Sequence, residues 1–425
     1  MDEENYFIEK ALEEEQQANK ENAKTSSIVQ KLFIALGIKI LSSIKNTYKD
    51  MEDEKDISYF NFKSFLKPRE LKEFKNLVSG YKKDIEKDDS FTFLSKYEDS
   101  ISNSLLSKYD YLLSLPQISR ETKLITQVEF DVSKVMSNFE NVLNMHLAQT
   151  YFQKYDKTQF DVFKFLGEGT KIDSSYLNQD LVQKILDYPW SGEDFSDRIW
   201  KNKEKLIQSL REDLTTHFIA GDSYEATAKR VQDKLDSNYF DAYRVIQTES
   251  SRVLMEADKD AHEDMGLKKY KILATLDSRT SEICREEDGE IYQYKDMVIG
   301  KNAPPFHPMC RTVIVPYDED TAHFGERIAR GLDNKNYNVP SSMTYKEWHS
   351  KHIDATKEAE IIKAQAQDKR LKKEFQKLKE ALGDDAPKTF TKYKNMKNKG
   401  TEDFKELRQK YNNKIKVKFS TININ

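Results

Sequence analysis

The chain has 425 residues, of which 33% are charged and 37% hydrophobic, with 13 glycines, 9 prolines, 2 cysteines and a net charge of -4. That length holds two or three domains, and scarce glycine with abundant charge fits a mainly helical soluble protein better than a large sheet protein or a disordered one. The acidic start, Met1-Asp2-Glu3-Glu4, lacks the order of a signal peptide, so both thiols are expected to stay free or metal-bound in a reducing compartment.

Residues 1 to about 115 read as a helical bundle. Tyr6, Phe7 and Leu12 come first, then Ile28, Leu32, Phe33, Leu36, Ile40, Leu41 and Ile44 at helical spacing. The stretch from Ile28 to Ile44 is interrupted by Gln30, Lys31 and Lys39, which makes it a buried helix and not a membrane span. Pro68 suits the first turn of a further helix carrying Leu71, Phe74 and Leu77.

Leu115-Pro116 ends that run, and Val128 to Tyr151 is again helical. The helical spacing then breaks down, and Phe160 to Gly169 reads as a short strand and turn. Gly167-Glu168-Gly169-Thr170 lacks the Lys-Ser/Thr ending of a phosphate loop and reads as a plain turn. Tyr188-Pro189-Trp190-Ser191-Gly192 is a hinge, and a domain boundary is expected there. The expected division is 1–189 (mainly helical), 190–320, and 321–425 (a charged, Lys-rich, helical or partly disordered tail).

From Phe195 a helix runs to near Gly221, Asp222 is expected to cap a second with Glu225 reaching back, and a third spans Tyr239 to Met265, closed by Gly266. Short elements follow. Tyr270 to Ala274 alternates as a strand, Asp277 is placed to cap a helical turn over Ser281 to Glu287, Asp288-Gly289 is a turn, and Glu290 to Tyr294 and Arg311 to Val315 are strands. Ala303 to Pro308 must be extended, because a residue before proline avoids the helical region. The fold class is therefore mainly α with a small α+β module: a helical N-terminal bundle, central helices leading into a short antiparallel β element, and a helical charged tail.

That module holds the chemistry. Cys284 on the helical turn approaches His307 and Cys310 on the loop before the last strand, and Asp288 lies one helical turn beyond Cys284. Cys284, His307, Cys310 and Asp288 are ligands of the kind zinc prefers, so a structural zinc is one reading. Two buried thiols beside a histidine bonded to a carbonyl is the second. A nucleophilic Cys-His hydrolase is the third, in which Arg279 and Arg311 would lower a thiol pKa; beside acidic turns such as Asp277 and Asp288, structural ion pairing is their other reading. His349 and His352 are expected on a helix surface, docked by Tyr345 and Trp348.

Charge is uneven. Residues 351–425 hold 20 Lys and Arg against 11 Asp and Glu, a net of +9 that leaves about -13 on the rest. Such a tail is either a solvated helical appendage or a contact for nucleic acid or an acidic surface.

The run Leu276-Asp277-Ser278-Arg279-Thr280-Ser281, then Cys284, Asp288-Gly289, Pro304-Pro305 and His307-Pro308-Met309-Cys310-Arg311, resembles the signature of the phage minor head proteins, the Mu F-like head morphogenesis family. Pro189-Trp190-Ser191-Gly192, Phe195-Ser196, Arg198-Ile199-Trp200, Gly221-Asp222-Ser223 and Gln247-Thr248-Glu249 resemble versions from phages and prophages of Gram-positive bacteria. The resemblance covers about residues 186–320. It implies a virion component present in few copies, with the portal protein and other head or scaffold proteins as partners and no membrane. Its place is the phage head, and the host cytoplasm during assembly, with a role in head assembly, DNA packaging or ejection. It carries over no catalytic residue. Some relatives bear a C-terminal toxin or ADP-ribosyltransferase domain. Residues 321–425 show no such catalytic constellation, so no toxin is expected. Double-stranded DNA contact through the basic tail would be independent of sequence.

Overall fold

A computed structural model describes residues 3–52, 58–87, 98–166, 179–220, 222–317 and 326–422. The chain forms two compact units. The first is Met1–Leu276, Thr280–Ala329 and Asn338–Tyr345, and the second is Asp277–Arg279, Arg330–Tyr337 and Lys346–Asn425.

In the first unit the helices are α1 (Glu3–Glu52), α2 (Tyr59–Lys63), α3 (Pro68–Lys87), α4 (Glu98–Ser114), α5 (Arg120–Leu166), α6 (Gln179–Leu186), α7 (Phe195–Ala220) and α8 (Tyr224–Asp264). Their main core gathers Val29, Phe33, Leu36, Ile40 and Ile44 of α1 with the inward faces of α5, α7 and α8. The intervals of three and four residues put these α1 side chains on one stripe. By length and composition α1 contains a window apolar enough to cross a membrane, yet this stripe is spent on the bundle core. Segments on both sides of the Tyr188–Gly192 hinge thus share one core. A satellite core joins α3 and α4 to α5 through Phe74, Val78, Tyr109 and Phe130.

Three local expectations are corrected. Phe160 to Leu166 is not a strand but the last turns of α5; Tyr155 and Val162, two turns apart, are both buried, and the Tyr6 hydroxyl donates to Asp161 at 2.6 Å. The Gly167-Thr170 turn lies outside the described residues. Nor are the second and third central helices separate, because α8 is continuous over 41 residues, with Leu235, Ala242, Ile246, Val253 and Ala257 all in the core. Its cap is Ser223, whose side chain accepts from the Ala226 amide, one residue later than the expected Asp222. Gly266 ends it as expected, with φ +83.

After α8 come β1 (Lys269–Leu273), α9 (Glu282–Glu287), β2 (Ile291–Gln293) and β3 (Val313–Tyr317). β1 is central and antiparallel to both neighbours, in the order β2-β1-β3, with Tyr270 opposite Tyr292 and Pro316. One face of the sheet rests on Met255 and Ile299. Leu273 and Val315 pack with Tyr6, Phe7 and Ile8 of α1. Ser281, not Asp277, caps α9, accepting from the Cys284 amide; Asp277 instead accepts from the Arg279 amide at 2.9 Å.

Beyond residue 320 the chain is not purely helical. β4 (Glu326–Arg330) and β5 (Asn336–Pro340) form a two-stranded sheet. In β4 the alternation is inverted, since Arg327 and Ala329 are buried while Ile328 is exposed. A pattern of apolar residues inside cannot find such a strand.

The second unit holds α10 (Tyr345–His352), α11 (Ala355–Leu382), α12 (Phe390–Lys399) and α13 (Glu402–Ile422); Tyr345 itself is grouped with the first. α11 to α13 have their own small core of Leu371, Leu378, Leu382, Tyr393 and Leu407. Tyr345 and Trp348 are buried as expected, and His349 hydrogen-bonds Glu358 at 2.6 Å.

Candidate functional site: the Cys-His cluster

Cys284, in the first turn of α9, meets the loop before β3. Its sulfur lies 3.3 Å from His307 Nε2 and 3.6 Å from Cys310 Sγ. The three ligand atoms all fall within 4.8 Å of one another. Both thiols are free and buried, whereas His307 is half-buried and Pro308 and Met309 are exposed.

The loop geometry follows from its sequence. The Cys310 amide donates to the His307 carbonyl at 3.2 Å, closing a four-residue turn with Pro308 second and Met309 third. Met309 has φ +59, as a type II turn requires at its third position, where glycine or asparagine is usual. The turn draws His307 and Cys310 together. It is held from α8, where Thr248 Oγ1 accepts from the Met309 amide at 3.1 Å.

The electrostatics of the two thiols differ. Cys310 is drawn down to about 5, first by its hydrogen bond with Cys284 and then by the Thr312 and Phe306 amides, against the effect of burial. Cys284 is pushed up, first as the partner of Cys310 and then by desolvation. The two sulfurs share one hydrogen bond and titrate as a pair. With Cys284 only 2% exposed and Cys310 7%, neither sulfur offers a substrate the approach that a nucleophile needs.

Asp288 does not join the cluster. Its Oδ1 accepts from the Ala274 amide at 2.6 Å and Arg327 Nη2 at 2.9 Å, and its Oδ2 from Arg327 Nη1 at 3.1 Å and the Tyr345 amide at 2.6 Å. Four donors saturate the carboxylate, and the forked ion pair is buried on both sides. Arg327 also donates to the Ala274 and Met343 carbonyls. Arg327 was not legible as a site residue in the sequence, because its strand reads as charged tail. Gly289, next to Asp288, has φ +91, and an added Cβ would meet Thr344 Cγ2 at 3.1 Å.

The remaining signature residues brace this site. Thr280 donates to the Thr275 carbonyl, Thr275 Oγ1 donates to the Arg311 carbonyl at 3.3 Å, and Pro305 is buried. Upstream, Glu249 of α8 is fully buried and gathers the hinge. It accepts from Arg252 Nε at 2.9 Å, from the Trp190 indole at 3.2 Å and from Arg198, and Arg198 in turn donates to Ser191 and the Glu193 carbonyl. Next to this hub lies a cleft of about 590 Å3 lined by Trp190, Lys201, Lys205, Arg244, Lys301 and His307 among others.

Residues 208–315 match the family model described as phage Mu protein F like protein. Two curated relatives are similar to parts of the chain. One is the NAD(+)–arginine ADP-ribosyltransferase EFV of Enterococcus faecalis, 27% identical over 128 residues, which are 29% of this chain and 26% of that one. The other is an uncharacterized protein of Haemophilus influenzae, 22% identical over 210 residues, 47% of this chain and 44% of that one. The chain thus spans a quarter to under a half of the length of these relatives. No solved structure matches it. The matched residues 208–315 run from α7 into β3 and carry the whole Cys-His cluster, so the likeness to phage Mu protein F like proteins rests on the segment that builds this site.

Proposed function

We propose that the protein is a minor structural component of a phage head that acts at the portal during procapsid assembly, DNA packaging or ejection. The observation that carries this reading is the family match over residues 208–315. The physical features agree with an assembly role. The signature residues are used for bracing: Glu249 gathers three donors, Asp288 four, and Thr248 holds a turn. Nothing in this set needs a substrate. The relative named as an ADP-ribosyltransferase aligns over 26% of its length, so its activity is not carried to this chain. The thiol hydrolase reading is disfavoured by the burial of both sulfurs.

Portal and head or scaffold proteins are the partners in this reading, the virion is its destination, and the host cytoplasm is where it assembles. Double-stranded DNA is contacted without sequence preference by the Lys-rich tail, with net +9 over residues 351–425. The cationic cleft at Lys205 and Lys301 is a further surface for phosphate.

The test is mass spectrometry of purified particles, together with affinity purification of the tagged chain from cells undergoing phage assembly. Peptides of this chain in the heads, and co-purified portal protein, are the expected results; particles devoid of it would overturn the reading. Truncation after residue 350 removes α11 to α13, which have their own core. It is expected to weaken DNA binding at low salt and to lower the salt slope, and equal binding by the truncated chain would remove the tail from the proposal.

A further inference from the structure

We propose that Cys284, His307 and Cys310 bind one zinc ion that clips α9 to the loop before β3, with the fourth position open to a water on the exposed side of His307. This goes beyond the head-assembly reading and stands independently of it.

The first argument is distance. Tetrahedral zinc with bonds of about 2.3 Å to sulfur and about 2.0 Å to nitrogen needs sulfurs about 3.8 Å apart and sulfur and nitrogen about 3.5 Å apart. The observed separations are 3.6 Å between Cys284 and Cys310 and 3.3 Å between Cys284 and His307 Nε2. Those two sides open by about 0.2 Å each to reach these values, and the third, between Cys310 and His307, lies within 4.8 Å. The second argument is the state of the imidazole. His307 Nδ1 lies 3.0 Å from the Pro308 carbonyl oxygen, which can only accept, so Nδ1 carries the hydrogen. Nε2 is then a bare lone pair aimed at the sulfur. Orientation of a ligand histidine by a carbonyl on its other nitrogen is the usual arrangement in metal sites.

Alternative readings of the cluster leave something unused. A disulfide between the two sulfurs gives His307 Nε2 no role. A plain pair of buried thiols does not explain why a residue other than glycine or asparagine is held at φ +59 to bring His307 over them. Among the described residues no fourth His, Cys, Asp or Glu joins the three, and Asp288 is committed to Arg327. Zinc binds cysteine as thiolate, so loading releases protons and affinity falls as pH falls.

The experiment uses the full chain, purified without chelator, stripped at mildly acidic pH and reloaded with zinc or cobalt(II). Metal per chain is read by plasma mass spectrometry, thiols by native alkylation, and the ligand set by the cobalt spectrum. The expected result is one zinc per chain, both thiols protected until chelator is added, and a thiolate-to-cobalt charge-transfer band. Cys310→Ser and His307→Gln should lose at least tenfold in affinity, while His352→Gln, on the separate helix α10, should keep it. Folded wild-type protein that takes up less than about a tenth of an equivalent would overturn the proposal, whatever the variants do. So would an intact mass two hydrogens short, which reports a disulfide, or full metal content in Cys310→Ser.

Discussion

The hydroxyl of Thr248 accepts a hydrogen bond from the amide of Met309, 61 residues further along, at 3.1 Å. The middle of a 41-residue helix thereby sets the position of the turn that carries His307 and Cys310. The same hydroxyl donates back to the Arg244 carbonyl at 2.7 Å, which orients its lone pairs toward the loop.

Replacing Thr248 by Val keeps the shape and removes the acceptor. The expected cost is about 1 kcal/mol in urea unfolding, the usual net worth of one such bond. Native alkylation of Cys310 should become faster in the variant, because the turn loses its anchor to α8. Thr248→Ser retains the hydroxyl and should behave as wild type; equal labelling rates in all three proteins would show that the bond does not hold the loop.

Asp288 and Arg327 make the second test. Both side chains are buried, so Asp288→Asn leaves a guanidinium in the core without its counter-charge, a loss of about 3–5 kcal/mol. Arg327→Met should cost less, because the Ala274 and Tyr345 amides still serve the carboxylate. The double variant should lose less than the sum of the two. Additivity within about 0.5 kcal/mol in a double-mutant cycle would mean that the two residues act independently.

The same pair shows what the sequence did and did not disclose. Asp288-Gly289 was legible as a turn because glycine there serves the backbone, at φ +91. The partner of Asp288 was not legible, since Arg327 sits in a strand whose buried positions are Arg and Ala. A zinc-like spacing therefore offered Asp288 as a ligand when its charge was already taken. The convergence of Cys284, His307 and Cys310 was legible, because prolines constrain the loop and few elements separate it from α9. α8 was misread as two helices because its cap signal at residues 222–225 and its apolar stripe at 239–265 were read apart. Contacts such as Trp190 with Glu249 span 59 residues, and local periodicity carries no information at that range.

Glu249→Gln is the third test. The residue is fully buried against Arg252, itself fully buried, and also faces Arg198 and Trp190. Glutamine keeps the volume and one acceptor but removes the charge that both guanidiniums face. A loss of about 3–5 kcal/mol is expected, as for breaking a buried ion pair from one side. A thermal midpoint equal to that of wild type would refute the view that this carboxylate holds the hinge to α8.

His262 gives the protein an acid limit. Its Nδ1 hydrogen-bonds the Tyr294 hydroxyl at 2.8 Å, and complete burial, helped by the Lys154 ammonium, pushes it down to about 3 from 6.5. The folded value is depressed, so the native state binds fewer protons than the unfolded chain between these limits. The contribution is full above pH 6.5 and is lost as pH falls toward 3, by about 1.4 kcal/mol per unit. At pH 5 the loss is about 2 kcal/mol relative to neutral pH. Asp258, raised to about 6 by burial against the opposing pull of Lys154, acts with the other sign, since its folded form takes up a proton before its unfolded form. The total curve therefore mixes the two, and the comparison with His262→Asn separates them. Asparagine can accept from Tyr294 but does not titrate, so the variant should close on wild type by about 2 kcal/mol between pH 7.5 and pH 5 in urea unfolding. Parallel stability curves for the two proteins would mean that His262 is not the group that sets the acid limb.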